Sequence, residues 1–453
     1  MANSNLLRLF TGIGRWAIGG SLGGLVGSLT AVMLTQAIKQ VLDFVSGLGT
    51  LWMLLLPLFG ITLAVLVLNV IGKGVPVQTL APLQDENLDR PPKLTWYTFP
   101  HDVARADLTG DVVNTAGAEE RFPWKRAPLR ALAILSTVGL GAAMGTESPA
   151  AHIGVATGVW LSSRNPALGW LVRPAAIGGG AAAVSALMGI PLVGSFFMFE
   201  LGRRRKIPLT PERAAAMLTG GLMGWGVNVV FNLSLIRLVV PRVPPADLWE
   251  AVTAALFIGA LAGVITSLSG EAIYWARGLQ TRPAVRLLLG GLAMVVLALV
   301  IAQIASPGAA FGPGGAAIVW AETVDPSPYH LLAVSLLRAA FTTAAVVAGG
   351  CGGVFVPFLA IGDLGGRVFA AAFGVPSDLA GAAGAAAGIA GGYRLPLTAM
   401  AMVLGVGGPT GATLTCLATV GVATLSGLIA ARTADKLSDS LREAMGKNPS
   451  SED

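Results

Sequence analysis

Charge is what this sequence has least of. Only 12% of its 453 residues are Asp, Glu, Lys or Arg, against 54% hydrophobic residues and a mean hydropathy of +0.72. A chain so poor in charge cannot clothe a large soluble domain, and an integral membrane protein is expected. Cysteine is almost absent: Cys351 and Cys416 both lie in apolar stretches, which excludes a disulfide framework and reads as two small core residues. The three histidines, His101, His152 and His330, form no cluster with Cys or Glu at metal-ligand spacing, so no metal is expected. No Gly-x-x-x-x-Gly-Lys pattern is present either, and no cofactor or bound nucleotide is expected. The net charge of +6 is spread over short clusters such as "GRRRKIP" (202–208) between apolar tracts. That distribution fits positive-inside topology and argues against nucleic acid as a partner.

What the chain has in quantity is long uncharged runs, among them 46–72, 174–199, 214–236, 287–320 and 395–431. Several exceed the roughly 20 residues that a spanning helix needs, so an all-α polytopic bundle follows. Its 60 glycines and 27 prolines fall largely inside these runs, which predicts tilted and broken helices rather than straight rods. The expected organisation is an N-terminal helix and first membrane helices (1–72) and a polar loop or cap (73–126). The remainder of a first hydrophobic half (127–236), a second half (250–431) and a polar cytoplasmic tail (432–453) complete it. The start of the chain, with Arg8 and Arg15, reads as a cytoplasmic amphipathic lead-in rather than a cleaved signal. An inner (plasma) membrane location with both termini cytoplasmic is expected. The halves echo one another: "GTESPAAHIG" then "GIPLVGSFFMFELGRRR" in the first, "GGVFVPFLAIGDLGG" then "GGYRLPLTAMAMVLGVGG" in the second. Paired Gly/Pro-interrupted segments of this kind point to an inverted repeat with a binding site between its broken helices.

One carboxylate stands out. Glu147 is the sole charged residue between Arg130 and Arg164. Proline suits the first turn of a helix, so a helix starting near Pro149 would put Glu147 and the amides of Gly145, Thr146 and Ser148 at its N-terminus, an anion site by its unpaired N–H groups. In "GCGGVFVP" small residues again allow close backbone approach, and the amides of Val354 and Phe355 are further candidates. A carboxylate there would compete with a dissolved anion for the same donors, which makes Glu147 a candidate gate.

On these residues the sequence resembles the CLC family of chloride channels and chloride/proton antiporters. "GTESPAAHIG" is similar to that family's Gly-Arg-Glu-Gly-Pro segment, and "GIPLVGSFFMFE" to its Ala-Pro-Leu-Ala-Gly helix. "GGVFVPFLAIG" is similar to Gly-Gly-x-Phe-x-Pro, and "YRLPLTAMAMVLG" to Arg-Ala-Pro-Leu-Thr. "IAARTADKL" matches the end of the last helix, and the matches run in family order from about 125 to about 436. The resemblance implies a CLC-type inverted repeat forming a homodimer with one anion pathway per subunit. It also implies that Glu147 is the external gating glutamate, with Phe355 walling the pathway and Arg130 standing where the family commonly has a buried lysine.

Three departures shape the functional expectation. The family's Gly-Ser-Gly-Ile-Pro serine has no clear copy, the nearest hydroxyl being Thr109 in "DLTGDVV". Its anion-binding tyrosine on the last helix is replaced by Leu425 or Ser426. Leu201 stands where many antiporters carry an internal proton-transfer glutamate, with Glu200 one position earlier. Adjacent helical positions point about 100° apart, so Glu200 is no automatic substitute in a proton pathway with Glu147. With backbone amides as chief ligands, each worth about 1.5–3 kcal/mol toward a charged partner, a channel or loosely coupled pathway is expected. A chloride/proton or other anion/proton antiporter is the alternative. A membrane serine hydrolase using Ser148 and His152, or a non-conducting scaffold, are the distant ones.

Overall fold

A computed structural model describes residues 2–71, 112, 122, 124–163, 165–204, 207–232, 238–244, 247–279 and 281–444. Most of the expected loop 73–126, Thr109 included, lies outside the described residues. Helices make up nearly all the rest: α1 (Ala2–Ser46), α2 (Thr50–Asn69), α3 (Ala127–Gly139), α4 (Glu147–Ser163), α5 (Val172–Met188), α6 (Val193–Arg204) and α7 (Pro211–Phe231) come first. They are followed by α8 (Leu248–Gly278), α9 (Pro283–Ile304), α10 (Gly315–Val324), α11 (Pro328–Ala348), α12 (Phe355–Arg367), α13 (Ser377–Tyr393), α14 (Pro396–Val406) and α15 (Leu414–Ala444). Eight of the helical segments among the described residues are long and apolar enough to cross a membrane.

Two stretches differ from the expected boundaries. The N-terminal lead-in is not a separate helix but continues into the first span, because no proline precedes Pro57 to break it. At the other end α15 runs through the expected 431/432 boundary to Ala444, the polar tail extending a membrane helix.

The inverted repeat is visible in which helix packs on which. In the first half α5 is the hub, touching α1, α4 and α7, and α1 also packs on α7. In the second half α13 is the hub in the same way, touching α8, α12 and α15, with α8 packed on α15. Both hubs are built of small residues, and their closest neighbours meet backbone to backbone. A Cβ added at Gly179 of α5 would strike the carbonyl of Gly154 on α4, and one at Gly384 of α13 that of Gly362 on α12. In a bilayer, where burial of apolar surface gives no advantage over lipid, such close approach is what holds helices together.

Buried polar contacts fix the two short helices that matter most. At the far end of α12, Arg367 pairs with Asp363 at 2.7 Å, Asp378 of α13 at 2.9 Å and Glu322 of α10 at 3.4 Å. Arg338, fully buried on α11, donates to the carbonyls of Ala309 (2.5 Å) and Gly312 (2.9 Å). Gly312 in turn donates to Gly141 at 2.8 Å, and the ring of Phe311 lies where a Cβ of Gly141 would be, a residue held at φ +92°. Only glycine fits both constraints, so the segment leading into α4 is set by the second half of the chain.

Replacing Gly384 with Val should push α12 off α13 and cost about 1–3 kcal/mol or more, seen as a lower thermal midpoint in detergent. Gly202→Ala, whose new methyl meets no heavy atom within 4 Å, should leave the midpoint unchanged or slightly raised.

Candidate functional site

The two broken helices meet head to head. Gly145 N–H donates to the Gly353 carbonyl at 2.6 Å and Gly353 N–H to the Gly145 carbonyl at 2.8 Å, a lone antiparallel bridge linking the halves. Two residues past each glycine a helix begins, at Glu147 in one half and Phe355 in the other, and four past each stands a proline, Pro149 or Pro357. The glycines are reciprocal as well. A Cβ at Gly145 would lie 3.3 Å from Pro357, and one at Gly353 3.2 Å from Pro149. The prolines sit third in their helices, not first as the spacing suggested, which costs nothing because first-turn N–H groups have no helical partner.

Glu147 is 1% exposed, and its carboxylate folds back into this junction. Oε1 accepts from Thr146 Oγ1 at 3.2 Å, Oε2 lies 2.6 Å from where a Gly145 Cβ would be, and the backbone N–H groups of Glu147, Val356 and Thr146 bear on it. The carboxylate therefore occupies ground where N–H groups of α4 and α12 converge. On α12 the first amides without a partner inside the helix belong to Phe355 and Val356, with Val354 as the cap. Val356 was not among the sequence candidates. Its signal was available, since it follows Phe355 in the same first turn.

Around this junction stands an aromatic wall. Phe355 meets Phe197 of α6 edge-on at 6.2 Å and Tyr393, the last residue of α13, at 5.4 Å, while Phe358 packs on Tyr393 at 5.8 Å. The hydroxyl of Tyr393 lies 3.0 Å from that of Ser148, both buried. A serine and a tyrosine thus stand beside Glu147: Ser148, a sequence candidate for its amide, and Tyr393, which was not a candidate. Leu425 and Ser426 are elsewhere: Leu425 is 57% exposed and Ser426 donates to the Leu256 carbonyl at 2.6 Å.

The remaining candidates separate. His152 Nε2 lies 3.2 Å from Arg130 Nη1, and its ring packs against Phe122 at 4.8 Å, so the imidazole belongs to a buried layer tying α4 to α3. Glu200 accepts from the N–H groups of Leu397 (2.8 Å) and Thr398 (2.9 Å) and from Thr398 Oγ1 (2.6 Å). It caps α14, a further contact between the halves, and this use of the carboxylate was not foreseen. Leu201 beside it is 1% exposed and apolar. No group of three or more His, Cys, Asp or Glu suited to a metal ion occurs among the described residues.

A family model described as "Voltage gated chloride channel" matches residues 93–427. Among curated proteins, the H(+)/Cl(-) exchange transporter ClcA of Yersinia pestis is 26% identical over 301 residues, covering 62% of this chain and 60% of that one. The protein of the same name from Salmonella paratyphi A is 27% identical over 297 residues, covering 62% and 61%. The aligned region is thus under two thirds of these relatives' length. Among solved structures, a slow cyanobacterial Cl-/H+ antiporter superposes with a TM-score of 0.64 at 18% identity over 94% of this chain and 99% of that one. A CLC-type fluoride/proton antiporter superposes at 0.66, with 18% identity and coverage of 94% and 97%. At such identity these two speak for the fold.

Glu200→Ala strips three acceptor contacts from the start of α14 and should cost about 1–3 kcal/mol. A lower thermal midpoint in detergent is the expected result; an unchanged midpoint would exclude the capping role.

Proposed function

The chain belongs to the voltage-gated chloride channel family, and we propose that it moves chloride or a similar small anion across a bilayer in exchange for protons, with Glu147 as the gate. The observation that carries this is the buried carboxylate of Glu147 lying between the opposed starts of α4 and α12. Ionised, the side chain takes the N–H groups that an anion needs and closes the pathway. Protonated, it no longer competes, and an anion takes its place against the amides of Phe355 and Val356 with the hydroxyls of Ser148 and Tyr393 beside it. The ionised carboxylate and the anion are then alternative occupants of a single site, and protonation decides between them, which links anion entry to proton binding as exchange requires.

Exchange replaces the channel-like expectation as the main reading because the curated relatives are named H(+)/Cl(-) exchange transporters. The channel-like or loosely coupled pathway stays as the second reading on one specific observation: Leu201 is apolar and Glu200 is committed to α14, so neither is placed to pass a proton. A homodimer, an inner-membrane location and cytoplasmic termini belong to this proposal, the last supported by the basic segments 202–206 and 277–286. The hydrolase reading loses its support, since the hydroxyl of Ser148 meets Tyr393 and the imidazole of His152 meets Arg130.

Anion and proton fluxes measured together in proteoliposomes test the proposal. The native chain should move protons uphill when driven by a chloride gradient, at a fixed ratio, and its anion flux should rise as pH falls. Glu147→Gln, neutral at every pH, should keep anion flux, lose its pH dependence and cut coupled proton movement by about tenfold or more. Anion flux with no driven protons in the native chain would return the protein to the channel reading. A substitution that alters neither flux nor pH dependence would remove the gate.

A further inference from the structure

Helices α8 and α9 follow one another through residues 279–282 and are both of spanning length, yet they scarcely touch; each packs instead on α11. Where they part they leave a crevice of about 570 Å³, floored by α11. Ile265 and Leu268 of α8, Leu289 and Leu297 of α9 and Leu336 and Val347 of α11 line it, and none of its lining residues is charged. At its lip Leu268, Leu289 and Leu336 are 54%, 61% and 48% exposed, so it opens sideways, toward whatever surrounds the helices. For spanning helices that surrounding is hydrocarbon, and an apolar crevice stays dry. At roughly 30 Å³ per small group, the volume a water takes in the liquid, the crevice holds on the order of 19 such groups, the size of one acyl chain.

Two further observations say what kind of molecule the chain would belong to. Ser269 lines the crevice, is 5% exposed, and its hydroxyl has no hydrogen-bond partner. Thr343, another lining residue, has spent its hydroxyl on the Ala339 carbonyl at 2.9 Å. At the α8–α9 turn stand Arg277, half-buried, Arg282, exposed, and Arg286, buried with Nη2 3.4 Å from the carbonyl of Val346, the neighbour of lining residue Val347. No acidic residue occurs between Glu271 and Glu322. Ser269 lies eight residues before Arg277, about 12 Å along the helix.

The geometry points to a lipid site: one anionic glycerophospholipid, drawn from the leaflet that faces the α8–α9 turn, inserts an acyl chain between α8 and α9. Its phosphate meets Arg277 and Arg282, and an ester carbonyl accepts from Ser269. Basic groups at the mouth of an interhelical pocket on the positive side of a membrane protein supply the attraction for an anionic headgroup. This site is separate from the Glu147 junction and does not rest on the transport reading.

The test is photo-crosslinking of the purified full chain in detergent, using phosphatidylglycerol with a diazirine midway along one acyl chain and mapping adducts by peptide mass spectrometry. Adducts should concentrate in residues 265–272, 289–297 and 336–347. Excess unlabelled phosphatidylglycerol should suppress them by about tenfold, and phosphatidylcholine at the same excess should not. Ala340→Trp, which fills the crevice, should abolish them, and Arg277→Gln with Arg282→Gln should erase the preference between the two lipids. Equal yield on other lipid-facing helices such as α2, or equal suppression by both lipids, would overturn the proposal. The competition in the native chain decides it even if the crevice-filling variant does not fold.

Discussion

Two hydrogen bonds, Gly145 to Gly353 and back, are the constraint on which the site depends. Each half of the chain breaks a helix in the membrane interior, and a broken helix leaves N–H groups that hydrocarbon cannot satisfy. Joining the two breaks settles one donor and one acceptor on each side and aims both first turns at a common point. The donors left over make that point electropositive, and a polypeptide that leaves them bare needs an anion, a water or a carboxylate to meet them. Glu147 is the carboxylate. Its burial, improbable for an isolated charge, follows from the donors around it.

The rest of the fold serves to hold this junction still. Arg338 reaches from α11 to the loop at Ala309 and Gly312, which leans on Gly141 just before α4, so the second half positions the first half's helix start. Arg367 anchors the other end of α12 with three carboxylates. Glu200 on α6 clamps the start of α14. In each case a charge buried within a membrane bundle is matched to backbone or counter-charge across a helix boundary. The polar groups of this sparsely charged chain are thereby spent on geometry.

Much of this was legible in the sequence. The helix starts announce themselves, because glycine followed four residues later by proline marks a place where backbone comes close and a helix begins. The repeat of that spacing in the second half locates its partner. Tyr393 was not legible: it pairs with Ser148 across 245 residues, and a search of the last helix for a tyrosine looks at the wrong element. The capping contact of Glu200 was not legible for a related reason. A carboxylate on one helix that caps another, nearly 200 residues on, carries no local signal, since the capped helix shows only its Pro396. The continuity of α1 was available in the absence of proline, but Arg8 and Arg15 draw attention to an amphipathic lead-in that the helix absorbs.

The central claim is that the Glu147 side chain and a permeant anion are rivals for the same amides. Anomalous scattering from bromide in crystals of the Glu147→Gln protein addresses it directly. The account predicts a bromide peak between the starts of α4 and α12, within hydrogen-bonding distance of the Phe355 and Val356 amides. A bromide bound only elsewhere along the pathway, with that junction still closed by the glutamine, would contradict it.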